Sequence, residues 1–279
     1  MSELIQTLSQ KKLPVWATIR EAFGFAWAYR RVFWGWILVG AFVTGLGDLV
    51  GEFSYGEEGW GLTGFPYFAA ILLTPIPGLL VFVLLAVYCH RTFLIYHGGK
   101  TLELRFFFTE RERKFFAWII GISFCVFLII LPGVFVGIII WGSIIKMFPE
   151  GFGNNTFIGD LFVYGVFLFP FYYIFGRWVL VFPAIAIDQE PRMGWSWKQT
   201  KANGWRMFVL VGLLPLTVGN LWYLLSFIGL SEFSVFNSFL ASFALFLFTP
   251  VEVAVISIAF RELTNWTPPK SYSKEAPVV

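Results

Sequence analysis

Charge is scarce in this chain of 279 residues: Asp, Glu, Lys and Arg make up 13% of it, about half of the roughly 25% usual in a soluble domain. With hydrophobic residues at 58%, a soluble globular protein of this length is excluded. Histidine is almost missing, with His90 and His97 alone, and so is cysteine, with Cys89 and Cys125. Such scarcity leaves little for acid/base or nucleophilic chemistry, and no Gly-rich phosphate loop, His-Glu-x-x-His helix or Gly-x-Ser-x-Gly elbow occurs. A protein that is not an enzyme and holds no cofactor is expected. His90 and His97 are seven residues apart, so on a continuous helix both would face one way beside Cys89, as metal or haem ligands do. No partner pair occurs elsewhere, and they read instead as two interfacial histidines at a helix end. Both cysteines sit in apolar segments, where a thiol behaves as a small hydrophobe, so no disulfide framework is expected. A basic block of the kind that binds nucleic acid is also missing.

What is present is apolar length. Residues 32–50, 65–89, 115–145, 157–187, 207–229 and 233–260 are each long enough to cross a hydrocarbon core of about 30 Å, which takes roughly 20 residues. They predict an all-α fold: six transmembrane helices in a single integral domain over 1–279. Pro75 and Pro77 should bend the second span, Pro132-Gly133 should interrupt the third, and Pro170 or Pro183 should break the fourth. Before the first span, residues 15–29 place Trp16, Ile19, Phe23 and Trp27 on one helical stripe, with Arg20 and Glu21 off it, as an interfacial helix would. The first 30 residues start polar and lack a short apolar core with a small-residue cleavage site. No removable signal is therefore expected, and the first span would serve as its own. The tail 261–279 is polar, with Pro268, Pro269 and Pro277.

Orientation follows from the cations. With the amino terminus inside, every Lys and Arg except Lys146 and Arg177, 18 of the 20, falls on the cytoplasmic side, and both termini are cytoplasmic. The entrances to spans one and three read alike, Arg31-Val32-Phe33-Trp34-Gly35-Trp36-Ile37 against Arg113-Lys114-Phe115-Phe116-Ala117-Trp118-Ile119, and less closely against Asn203 to Val209. Two explanations stand side by side: three repeated helical hairpins, each led by an interfacial helix, or the common look of any positive-inside, aromatic-belted entrance.

The string Arg177-x5-Pro183-Ala184-Ile185-Ala186-Ile187-Asp188, followed by Ser196-Trp197-Lys198-Gln199-Thr200-Lys201-Ala202-Asn203-Gly204-Trp205-Arg206, resembles a broad group of bacterial inner-membrane proteins. That group includes six-span proteins without an agreed activity and is similar to the membrane domain attached to some glycerophosphodiester phosphodiesterases. The resemblance implies a bacterial cytoplasmic membrane and a helical fold. It lends no catalytic residues, because the group has no agreed activity, and without a phosphodiesterase domain among these residues no enzymatic association is expected.

Two sets of residues stand out as candidate sites. Arg177 and Glu252 are ionisable groups of opposite sign deep in spans four and six, at roughly 16 Å and 13 Å by a helical rise of 1.5 Å per residue, so they are expected to meet as an intramembrane ion pair or to line a binding cavity. Trp197, Lys198, Lys201 and Arg206, after an N-cap at Ser196, set aromatics beside cations and are expected to contact lipid head groups. The partners implied are membrane lipids and other membrane proteins. The reading is a non-enzymatic membrane protein that organises or regulates partners in the bilayer. Its alternative is a transporter or binder of a small amphipathic or lipid-like molecule, with a cavity near Arg177 and Glu252.

Overall fold

The computed structural model describes residues 11–55, 73–95, 108–147, 164–217 and 234–268. The expectations that fall on 1–10, 56–72, 96–107, 148–163, 218–233 and the tail beyond 268 lie outside them, among them His97, the second half of span five and the turn into span six. Every regular element among the described residues is helical. Five stretches are long and apolar enough to cross a membrane: Arg30–Val50, Pro75–Leu94, Glu110–Ser143, Gly165–Ala186 and Phe239–Thr264. The chain is a multi-pass helical membrane protein.

Helix α1, Val15–Ala28, is joined to α2, Arg30–Tyr55, through Tyr29 alone. The aromatic stripe of α1 faces outwards, with Trp16 and Trp27 82% and 70% exposed, while Thr18, Ala22 and Phe25 are buried. Thr18 and Ala22 let α1 lie close on the bundle, with Phe25 packed beneath, and the indoles are left on the outer face. Helix α3, Pro75–Leu94, runs antiparallel to α2, with Gly78 meeting Thr44 and Gly47 meeting Thr74. It passes the expected exit at His90-Arg91. His90 is buried inside the bundle, with its Nδ1 2.7 Å from Ser257 Oγ and its ring against Phe115.

Helix α4 spans Glu110–Met147 without a break at Pro132, a correction to the expected interruption. Pro132 deletes one amide donor from the ladder but does not end the helix. Its start is set by Thr109, whose backbone N–H donates to Glu112 Oε2 at 2.9 Å, a capping-box bond between N-cap and N3. At 1.5 Å per residue its 38 residues span about 57 Å, so the charged first turn stands clear of a 30 Å core.

The fourth span is not one helix. A π-helical turn, Tyr164–Leu168, leads into α5, Phe169–Trp178, and after a turn at Val179 and Leu180 the chain resumes as α6, Val181–Ala186. The cause is Pro183: its ring clashes with the carbonyl four residues back, at Val179, and supplies no amide to it. That carbonyl takes the Phe182 N–H at 3.1 Å instead, one residue early, and the chain turns. All six residues of α6 are buried, packed by α3, α4 and the last helix. Helix α7, Met193–Gln199, and α8, Gly204–Phe208, follow, and a second π-helical turn, Val209–Leu213, leads away.

Helix α9, Ser234–Thr264, is the centre of the bundle, packed by α1, α2 and α3. It runs antiparallel to α2: Gly40 lies under the buried Phe246 ring, Gly45 under Phe239, and Ser242 donates to Asp48 Oδ2 at 3.1 Å. At Gly40 a Cβ would overlap the ring, so only glycine allows this approach. Close packing matters here because lipid is as apolar as the side chains, and the hydrophobic effect does not draw membrane helices together.

Candidate functional site

The chemistry-bearing groups gather at one end of the bundle, where α1, α7 and α8 lie and where α3 and α9 finish. Asp188 is the first element of that end. Helix α6 closes in a Schellman arrangement: the Gln189 N–H reaches the Ala184 carbonyl at 2.9 Å, the Asp188 N–H reaches Ile185 at 3.0 Å, and Asp188 adopts a φ of 61°. Its carboxylate is gripped by Arg111 through Nε and Nη2, both at 2.8 Å, and by Arg91 Nη1 at 3.2 Å, which also donates to the Ala186 carbonyl at 2.9 Å. Burial pushes the Asp188 carboxyl up, but the Arg111 and Arg91 guanidiniums outweigh it and hold it below its ordinary value. Three helices, α3, α4 and α6, are thereby tied at one point.

Arg177 is the second element. It is buried, and its guanidinium is used by α7: Nε donates to Thr200 Oγ1 at 2.9 Å, Nη2 donates to the Trp197 carbonyl at 2.5 Å, and Cζ stands 4.3 Å from the centre of the Trp197 ring. Ser196 Oγ returns a bond to the Arg177 carbonyl at 2.9 Å. Ser196 is thus not an N-cap but a buried latch in mid-α7, whose N-cap is Arg192. Gly204 closes the cluster, since a Cβ there would stand 2.9 Å from Tyr173 Oη and 3.1 Å from Arg177 Nη1.

The expected Arg177–Glu252 ion pair does not form: among the described residues no ion pair joins them. The depth estimate assumed a straight helix from Arg177 to Asp188, whereas the turn at Val179 and Leu180 lets α7 fold back over Arg177. A carbonyl, a hydroxyl and an indole 20 to 23 residues onward reach the guanidinium first. Glu252 lies on α9, between Val251 and Val253, which are both buried.

The third element joins α1 to α7 and α8. Asn203, buried in the turn between them, accepts the Leu13 N–H at 2.8 Å through Oδ1 and donates from Nδ2 to the Lys11 carbonyl at 3.0 Å. Arg261 on α9 grips Glu21 on α1 through both carboxylate oxygens, at 2.8 and 3.0 Å, and Lys11 pairs with Glu262. Two amphipathic pieces far apart in sequence become one surface. On it Trp16, Trp27 and Trp205 are exposed beside the exposed cations Lys12, Arg20, Arg31, Arg192, Lys198 and Lys201, with Arg206 half-buried. The acids Glu21, Asp188 and Glu262 are drawn into pairs and Glu190 is exposed, so exposed cations outnumber exposed acids on this surface.

Of the expected head-group residues, Lys198, Lys201 and Arg206 lie on this collar, while Trp197 shares its ring with Arg177 and, at 39% exposure, with the outside. Sequence reasoning missed Asn203, Thr200 and the Arg91–Arg111–Asp188 clamp. Asp188 after an apolar run was the one available signal, since a charged residue just past a helix end attracts side chains of opposite sign. No family model, curated protein or solved structure matches the chain.

Proposed function

We propose that the chain is a non-enzymatic protein of a bacterial cytoplasmic membrane, with its α1 end and both termini on the cytoplasmic side, that organises or regulates partner proteins in the bilayer. The observation that carries this reading is the collar. Asn203 ties the chain ahead of α1 to the turn between α7 and α8, the Arg261–Glu21 pair fixes α1 on α9, and the resulting indole-rich cationic surface matches the chemistry of an anionic leaflet. The 18-of-20 bias of Lys and Arg supports the orientation, and the resemblance of residues 177–206 supports the bacterial membrane. Lipid head groups are the immediate partners, through Trp197, Lys198, Lys201 and Arg206, and a rigid surface of this kind sets the tilt and depth at which the bundle meets other membrane proteins.

The test is the melting temperature of the delipidated full-length protein on adding phosphatidylglycerol or phosphatidylcholine. The anionic lipid should raise it more, by an increment that Lys198→Gln with Lys201→Gln largely removes, since each basic residue near such a surface contributes about 1 kcal/mol. Equal stabilisation by the two lipids would remove the basis of the proposal. The alternative, a binder or transporter of a small amphipathic molecule, retains the support of Glu252 alone, because Arg177 is committed to α7.

A further inference from the structure

We infer that Glu252 is a proton-binding site at the centre of the bundle, open from one side of α9. The residue stands 13 positions after Phe239, where the span begins, and nine before Arg261, the first charged residue beyond it, so at 1.5 Å per residue it lies about 20 Å from the one and about 13 Å from the other. Among the described residues no hydrogen bond or ion pair reaches its carboxyl. Between Thr249 and Phe260 only Glu252 and Ile256, one helical turn apart, are less than fully buried. The carboxyl is therefore on the single stripe through which this part of α9 meets its surroundings.

The charged and titratable groups on the elements around α9 are engaged elsewhere. On α1, Glu21 holds Arg261 and Arg20 is exposed; on α2, Arg30 donates to the Trp27 carbonyl, Arg31 is exposed and Asp48 takes the Ser242 hydroxyl. On α3, His90 bonds Ser257, Arg91 holds Asp188, and Tyr88 and Cys89 are buried. Helix α6 and the turn Val209–Leu213 contribute none, and Arg177 is held by α7. On α9 itself Arg261 and Glu262 pair with each other and with α1 and Lys11. A carboxylate left alone in hydrocarbon takes up a proton or draws in water, and an ionisable group at this depth marks a functional position. The ligand class is a proton, exchanged along the Glu252–Ile256 stripe. The inference does not rest on the organising role proposed above.

The experiment uses the full-length protein in liposomes with dicyclohexylcarbodiimide, which partitions into hydrocarbon and reacts with protonated carboxyls. The acid adds across one C=N bond: its oxygen bonds to the central carbon, its proton passes to nitrogen, and rearrangement gives a stable N-acylurea with nothing oxidised and no group lost. Mass spectrometry should find the adduct on Glu252, falling by about tenfold or more from pH 5.5 to pH 9 and unaffected by exchanging sodium for potassium salt. A water-soluble carbodiimide should modify the exposed Glu190 and leave Glu252 untouched. Because the adduct is read on the native chain, the outcome does not depend on a variant folding, and Glu252→Gln serves only to confirm the assignment. No adduct at pH 5.5, an adduct independent of pH, or protection by sodium at fixed pH, which would make this a metal-cation site, each overturns the proposal.

Discussion

Arg177 is the residue whose role changed most between sequence and structure, and a double-mutant cycle with Thr200 tests its new assignment. Thr200→Val keeps the shape of the side chain but deletes the oxygen that accepts Arg177 Nε at 2.9 Å. A buried charged donor without a partner costs upwards of about 1 to 3 kcal/mol, and the hydroxyl's own bond to the backbone adds about 1 kcal/mol. Arg177→Met acts differently. It deletes two charge-assisted bonds of about 1.5 to 3 kcal/mol each and a cation–π contact of about 1 kcal/mol, but it also lifts the cost of keeping a charge from water, which is several kcal/mol. The terms largely offset, for a net loss of about 1 to 3 kcal/mol. With the arginine gone, Thr200→Val strands nothing, so the double mutant should fall short of the sum by about 1 to 2 kcal/mol. The readout is thermal unfolding in detergent, where 1 kcal/mol moves the midpoint by about 2 to 4 °C for chains of 150 to 250 residues. By contrast, Arg177→Met and Glu252→Leu should add to within about 0.5 kcal/mol, as for sites without shared partners. Additive losses in the Thr200 cycle, or strong coupling in the Glu252 cycle, would refute this reasoning.

Two further outcomes follow from the same geometry. Gly40→Ala drives a methyl into the Phe246 ring and should cost about 1 to 3 kcal/mol, whereas Gly35→Ala, with no atom within 4 Å of its new Cβ, should be neutral or stabilising by up to about 1 kcal/mol; equal effects in a thermal melt would show that the α2–α9 approach is looser than described. The Asp188 carboxyl is held below its unfolded value, so its contribution is complete above the ordinary carboxylate range and is lost as pH falls through the folded value. The melting-temperature gap between the native protein and Asp188→Asn should therefore be constant from pH 7 to about pH 5 and close only in stronger acid, below the ordinary carboxylate value; no gap at pH 7, or a gap that has already closed by pH 5, would remove Asp188 from the clamp.

Composition and run length alone determined that this is a helical, multi-pass membrane protein, because backbone groups in hydrocarbon must bond within their own segment and spans must be about 20 apolar residues long. The outward-facing stripe of α1 was legible for the same kind of reason, since a periodic row of indoles beside cations is a local property of the chain. The break before Pro183 was half legible: a proline predicts a kink, but where the freed Val179 carbonyl finds a donor depends on the fold. Partner choice was not legible at all. Arg177 has the right depth and charge for Glu252 on paper, yet Thr200 and Trp197 take its guanidinium because the turn at Val179 and Leu180 folds α7 over it. Asn203 joins α1 to α7 across 190 residues, and Asp188 joins α3, α4 and α6, through contacts between segments that carry no mark of each other in sequence. Burial and periodicity are fixed by a residue and its near neighbours, whereas a hydrogen bond or ion pair needs two groups within about 3 Å in three dimensions, and only the packed bundle decides which two those are.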